Sequence, residues 1–282
     1  MNEGISSQPE VLRLKGVGVT YPGGVRALLP QDIEIRKGEV TVLLGRSGAG
    51  KSTLLRAMNL LVQPTDGAVI CPQLGELGNG RLVRQHRRRT GMVFQQHQLI
   101  GRQTALTNVL AGRISRFGTL RSLFSLPRED RELALNCLDR VGMLDKALQR
   151  VDQLSGGQQQ RVGVARALAM EPTLILADEP VASLDPATSR QLLTLLREIC
   201  RRDGITLVIS LHQVEYAREF GDRVIALAKG EVVFDDVAEK LDESAIDSIY
   251  EGEGKAPDAE VEDPSATPDH ATQEQWPVAR TV

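Results

Sequence analysis

Aromatic residues are scarce in this chain: nine in 282, or 3%. That leaves little for stacking bases along a nucleic-acid groove, and it argues against a nucleic-acid partner. There are only three cysteines, Cys71, Cys137 and Cys200, far apart and without CxxC spacing. They fit buried thiols in a reducing compartment better than disulfides or a zinc site. No pure apolar run exceeds five residues, against the roughly 20 needed to cross a bilayer. The first residues, MNEGISSQPE, lack the basic start and apolar stretch of a signal peptide. These absences lead to the expectation of a soluble, cytoplasmic protein. What is present, 41% hydrophobic and 25% charged residues, suffices for a buried core and does not resemble a disordered, collagen-like or disulfide-scaffold composition.

The net charge of −3 conceals a seam. Residues 251–282 hold eight acids against two bases, so residues 1–250 carry about +3, the difference between −3 and −6. Rich in Pro, Ala, Glu and Asp, with Trp276 almost alone as a large apolar residue, that tail cannot bury enough surface to offset its ordering entropy and reads as disordered. The body alternates short β-branched or Leu-rich runs with helix-length amphipathic segments, the pattern of an α/β sheet protein. Strands are expected at 11–20, 31–36, 40–44, 90–94, 173–178, 205–211, 222–228 and 231–235. Helices are expected at 51–61, 104–111, 128–142, 157–170, 186–201 and 213–220, and 75–80 as a loop. The division is then an N-terminal extension (1–10), a body (11–250) and the tail (251–282). The stretch 100–150 lacks strong strand runs, which predicts a helical insert in the sheet domain.

Three motifs carry chemistry. Gly45-Arg46-Ser47-Gly48-Ala49-Gly50-Lys51-Ser52, with Thr53 next, matches GxxxxGK[ST]; it follows an apolar strand and opens a helix. In that context backbone N–H groups cradle phosphates, the lysine reaches the β- and γ-phosphates, and the Ser52 hydroxyl suits Mg²⁺. The second is Leu174-Ile-Leu-Ala-Asp178-Glu179. An Asp at a strand's C-terminal edge suits the Mg²⁺ shell, and the adjacent Glu179 is placed to polarise a water. Read alone, it also describes a strand running into a solvated turn. The third is Leu154-Ser155-Gly156-Gly157-Gln158 ahead of an Ala/Val/Leu-rich helix. Ser155 suits an N-cap and the glycines leave N–H groups open to a phosphate, although a plain capped helix reads the same.

GRSGAGKS, LSGGQ and ILADEP, in this order and spacing, resemble the nucleotide-binding subunit of ATP-binding cassette (ABC) transporters over about residues 10–250. The resemblance implies an α/β P-loop NTPase core with an antiparallel β subdomain and an inserted helical subdomain at about 96–153. It also implies ATP and Mg²⁺ as cofactors. Further positions match family elements: Tyr21 as the aromatic stacking on adenine, otherwise a β-turn aromatic; Gln95 as the glutamine contacting Mg²⁺ and the attacking water, with Gln96 beside it; Asp185 in the loop crossing the dimer interface, otherwise a helix cap before Pro186; and His212 as the histidine contacting the γ-phosphate. In the family, ATP held by the Lys51 loop of one subunit is covered by Ser155–Gln158 of a second copy. The implied partners are that copy, two transmembrane permease subunits and an extracytoplasmic solute-binding protein, placing the chain peripherally at the cytoplasmic face of the cell membrane. The loop 97–103 is the implied permease contact.

NVLAGR, RSLF, DQLSGGQQQR, LADEPVASLDP and DGITLVISLHQVEYAREFGDRVIAL are similar to the ATP-binding subunit of phosphonate importers. Phosphite, phosphate and polar amino-acid importers are the neighbouring possibilities, and a soluble non-transport ABC ATPase the more distant one. The basic cluster Arg81, Arg84, Arg87, Arg88 and Arg89 reads as a solvated helix face rather than a nucleic-acid or lipid site.

Overall fold

The computed structural model describes residues 9–95, 98–114 and 127–250. The acidic tail, most of the N-terminal extension, and Gln96 and His97 lie outside the described residues. Two sheets organise the described residues. The first is antiparallel, in the order β2-β1-β4-β5: β1 (Glu10–Thr20), β2 (Arg26–Arg36), β4 (Asp66–Cys71) and β5 (Gly75–Glu76). The second has the order β10-β9-β3-β8-β7-β6: β3 (Val40–Leu44), β6 (Thr90–Val93), β7 (Leu174–Ala177), β8 (Thr206–Ser210), β9 (Arg223–Ala228) and β10 (Glu231–Val237). Strands β6, β7, β8, β3 and β9 run parallel, and only β10 is antiparallel. The parallel strands β3, β6, β7 and β8 are buried along their whole length, as expected of a sheet covered on both faces.

Strand β3 separates two hydrophobic cores. Val40, Val42 and Leu44 face one core, with Val162, Val164 and Leu196; Leu43 faces the other, with Leu12, Leu28, Leu54 and Met58. Period-2 alternation in a fully buried strand produces this division. Into the first core pack α3 (Ala105–Ala111), α4 (Arg128–Arg140), α5 (Gly156–Leu168), α6 (Pro186–Asp203) and α7 (Val214–Phe220). Between β6 and β7 the described residues contain α3, α4, two 3-10 turns and α5, with no named strand. Strand β8 is followed by α7, and α8 (Glu243–Tyr250) closes the described chain.

Several elements differ from expectation for identifiable reasons. β2 begins at Arg26 rather than 31, running through Pro30; β2 is an edge strand, where a missing N–H is tolerated. α1 (Lys51–Met58) stops short of 61 because Leu60 turns left-handed, and α4 stops at Arg140 ahead of left-handed Gly142. β4, β5 and α8 were not among the expected elements, whereas α2 (Gly80–Arg87) is the helix on which the arginine cluster was expected to lie. α2 changes the reading of the arginine cluster. Arg81, Arg84, Arg88 and Arg89 are exposed, but Arg87 donates to Asn59 O and Leu60 O. Next to it, buried His86 Nε2 meets Met58 O at 3.0 Å. Together they satisfy the carbonyls at the C-terminus of α1, where a cation also complements the helix dipole. All three cysteines are buried free thiols; burial pushes Cys137 up to about 11 and Cys200 to about 12.

Candidate nucleotide site

Register sets the site. Leu43 pairs with Ser210, Ile209 with Ala177, and Ala177 with Val93. The chain therefore leaves β3, β8, β7 and β6 side by side at one edge of the sheet, delivering residues 45–50, 211–212, 178–179 and 94–95 to the same place. This is the carboxyl edge of the parallel strands, where open α/β sheets bind ligands.

The glycine loop is shaped by backbone contacts. Gly45 and Gly50 have φ of +146° and +104°. A Cβ on Gly45 would stand 2.3 Å from Leu227 O, and one on Gly50 2.7 Å from Ala27 O, so only glycine fits. Arg46, Ser47 and Gly48 are exposed at the loop tip, while Ala49 is buried. The loop feeds α1, with Gly50 as a left-handed N-cap lacking a side-chain bond. The helix's first N–H groups are thus left for another acceptor.

Lys51 is 3% exposed. Its ammonium donates to Gly45 O (2.7 Å) and Arg46 O (3.0 Å), lies 3.4 Å from His212 Nδ1 and stands 3.8 Å from Glu179 Oε1. Burial lowers its pKa below the usual lysine value, against the opposing pull of Glu179 and Asp178. Ser52 Oγ donates to Asp178 Oδ1 at 2.8 Å, and Asp178 N donates to Val93 O. Glu179 sits at φ +44°, rare for a residue with a β-carbon. Its Oε1 is 2.5 Å from His212 Nε2. With Lys51 able only to donate, His212 Nδ1 accepts and Nε2–H donates to Glu179. Burial raises the Glu179 pKa, but the hydrogen bond from His212 and the charge of Lys51 prevail, holding the carboxyl below its ordinary value.

One member of this network has no counterpart in the sequence reading. Ser210, fully buried at the end of β8, donates from Oγ to Asp178 Oδ1 (3.0 Å) and accepts from Glu179 N (2.8 Å). Its only signal is a small hydroxyl closing an apolar strand two residues before His212. Tyr21 is also brought in, its hydroxyl 3.2 Å from Thr53 Oγ1. Gln95 is exposed just beyond β6, on the strand adjoining β7.

The remaining candidates assemble elsewhere. Ser155 caps α5 in a capping box: its Oγ accepts from Gln158 N, while Gln158 Oε1 accepts from Ser155 N. Their neighbours lie at the start of α6. A Cβ on Gly157 would lie 2.8 Å from Thr188, and one on Gly156 3.9 Å from Leu184. Asp185 caps α6, accepting from Ala187 N and Thr188 N, with Pro186 at the first helical position. The hydrogen bonds centred on Thr188 hold its carboxyl below the usual value.

A family model described as ABC transporter matches residues 28–182, more than half of the chain. The chain belongs to the ABC transporter family. Among ABC proteins it is 63% identical, over 245 residues, to a phosphite import ATP-binding protein of Stutzerimonas stutzeri, covering 87% of this chain and 89% of that one. It is 54% identical, over 240 residues, to a phosphonates import ATP-binding protein of Nostoc sp., covering 85% and 92%. A dimeric ATP-binding cassette in a post-hydrolysis state, bound to ADP and Pi, superimposes with a TM-score of 0.71 at 38% identity, covering 80% of this chain and 98% of that one. The ADP conformation of another ABC cassette gives 0.76 at 26%, covering 87% and 100%. The α/β P-loop fold is therefore that of an ABC ATPase, and this cassette is an ATP hydrolase coupled to transport. Among its described residues no helix is long and apolar enough to cross a membrane.

Proposed function

We propose that this cassette is the energy-coupling subunit of an importer for phosphonates, hydrolysing ATP at a head-to-tail interface between two copies. The carrying observation is the single cluster of Lys51, Ser52, Asp178, Glu179 and His212 at the carboxyl edge of the parallel sheet. Gly45–Thr53 hold the phosphates, and Lys51 exchanges its carbonyl partners for β- and γ-phosphate oxygens. Tyr21 packs on the base. Ser52, Asp178 and Gln95 are oxygen donors, the ligand type Mg²⁺ requires. Among the described residues no group of three or more His, Cys, Asp or Glu gathers for a metal; this fits an ion held by few side chains together with substrate phosphates. Bound Mg²⁺ would neutralise charge on the phosphate oxygens. Glu179, kept ionised, orients and accepts a proton from the attacking water, while His212 fixes the carboxylate and reaches the γ-phosphate.

Ser155, Gly156, Gly157 and Gln158, with Asp185, serve the partner's nucleotide. Their place at the start of α5 and α6, beside Leu184 and Thr188, supports that half-site reading, as does the likeness to dimeric cassettes. Two membrane-spanning permease subunits hold the cassette pair at the cytoplasmic face, and an extracytoplasmic receptor delivers the solute. The helical part, about 96–153 within a 11–250 body, meets the permease through the loop 97–103. Ile100 there is 59% exposed and Leu148, on the segment paired with residues 101–106, 79% exposed. Asn108 clamps that loop from both sides of Ile100.

Several relatives at 54–55% identity are named for phosphonate import, which supports the solute. Phosphite is the second reading, favoured by the relative at 63%. Strains with and without this gene, grown on a phosphonate or on phosphite as sole phosphorus source, decide between them. Loss of growth on phosphonate is expected; equal growth there with failure on phosphite transfers the assignment.

A further inference from the structure

Gln160 lies one turn into α5, 1% exposed, and neither its Nε2 nor its Oε1 has a hydrogen-bond partner among the described residues. Both atoms are closed to solvent. Such an amide is costly to fold around, and buried side-chain polar atoms are paired in the large majority of cases. Its neighbour Gln159, by contrast, donates to Val151 O and Leu154 O. Gln160 is three and four residues beyond Gly157 and Gly156, so it shares their helix face. That face meets Leu184 and Thr188. Residues 180–185, which join Glu179 to α6, thus run between the strained catalytic position and the face that carries Gln160. Within that loop Ala182 N donates to Glu179 O and Leu184 N to Val181 O, while Ala182 and Ser183 themselves are exposed.

We propose that Gln160 is a positioning residue for hydrolysis: its amide is left unpaired in the single cassette and bonds the backbone of the 180–185 loop when two copies close on ATP. Engagement of the partner's nucleotide by Ser155–Gln158 is thereby transmitted along one helical turn to Glu179. This rests on the half-site reading above.

Gln160→Met keeps length and volume and removes both polar atoms. A residue needed only for packing or hydrogen bonding in the resting fold would lower the melting temperature when replaced. The positioning role requires the opposite pairing: a melting temperature equal to wild type or higher, with kcat for ATP hydrolysis lower by about tenfold, the worth of one hydrogen bond, and KM for ATP within about threefold. A kcat within twofold of wild type overturns the proposal. So does a lowered melting temperature, or failure of both Gln160→Met and Gln160→Leu to fold. Glu179→Gln, measured alongside by size exclusion with ATP, separates the two levels: if it forms no ATP-dependent dimer the half-site reading itself fails, whatever Gln160→Met does.

Discussion

Replacing Ser210 by alanine removes one oxygen and almost no volume, so cavity effects are small. What it takes away is specific: the donor to Asp178 Oδ1 and the acceptor for Glu179 N. Ser52 still bonds Asp178, so the carboxylate keeps one partner. The backbone N–H of Glu179 keeps none of its described partners. A lost hydrogen bond to a charged group is worth about 1.5–3 kcal/mol, and a stranded donor about 1–3 kcal/mol; with partial relaxation the combined loss is about 2–4 kcal/mol. For a domain of this size that lowers Tm by roughly 4–16 °C. Because Glu179 already occupies a left-handed conformation, losing its anchor lets the carboxylate leave its place. Misplacement of a catalytic group by an ångström costs on the order of 100-fold, so kcat falls roughly 10- to 100-fold, with KM for ATP changing less. Thermal melts of the nucleotide-free protein and steady-state phosphate release measure both. A variant melting within about a degree of wild type and turning over within twofold would refute the assignment of Ser210 as the support of Asp178 and Glu179.

Lys51→Ala abolishes nucleotide binding or turnover, measured by ATP titration and phosphate release; unchanged activity would remove the phosphate-loop assignment. Glu179→Gln preserves the bond from His212 but not the base, so ATP-loaded protein accumulates as a dimer on size exclusion, and turnover at the normal rate would sink that role. Gly50→Ala drives a Cβ to 2.7 Å from Ala27 O at φ +104°, so α1 cannot start as it does and ATP binding is lost; retained binding would show that the loop yields. Burial lowers the pKa of His86 in the fold, with the Met58 carbonyl opposing and Arg87 reinforcing. The unfolded chain therefore binds the proton first, and stability falls as pH drops below about 6.5. His86→Gln shallows that slope in denaturant titrations, and an unchanged slope would exclude His86 as a source.

The core of the site was legible because its residues are spaced by sheet geometry: a buried strand ending at Gly45, another at Asp178, a third before His212. Each motif sits where a parallel strand stops, and parallel strands announce themselves as apolar runs. Ser155 and Asp185 were equally plain as caps, since capping is written in neighbouring residues. Ser210 escaped because its importance arises from Leu43 and Ala177 lying across from β8, a relation between strands far apart in sequence. β4 was legible only as a strand entry at Gly67, because the stretch that follows is short and only partly buried. α2 is mainly polar; its reason for being helical is the end of α1 that His86 and Arg87 satisfy.

The phosphate loop rests on main-chain atoms: Gly45 against Leu227 O, Gly50 and Gly230 against Ala27 O, and Gly230 N bonded to Ala49 O. Apart from Lys51, which bonds Gly45 O and Arg46 O, and Leu28 beside Gly50, a mould cast from backbone has few side chains to retouch. Substitutions at Ala27 or Leu227 leave its contour standing so long as the strands hold, whereas any side chain at the three glycines breaks it. Variation among such cassettes is thus channelled away from the nucleotide and toward exposed side chains such as Ile100 and Leu148.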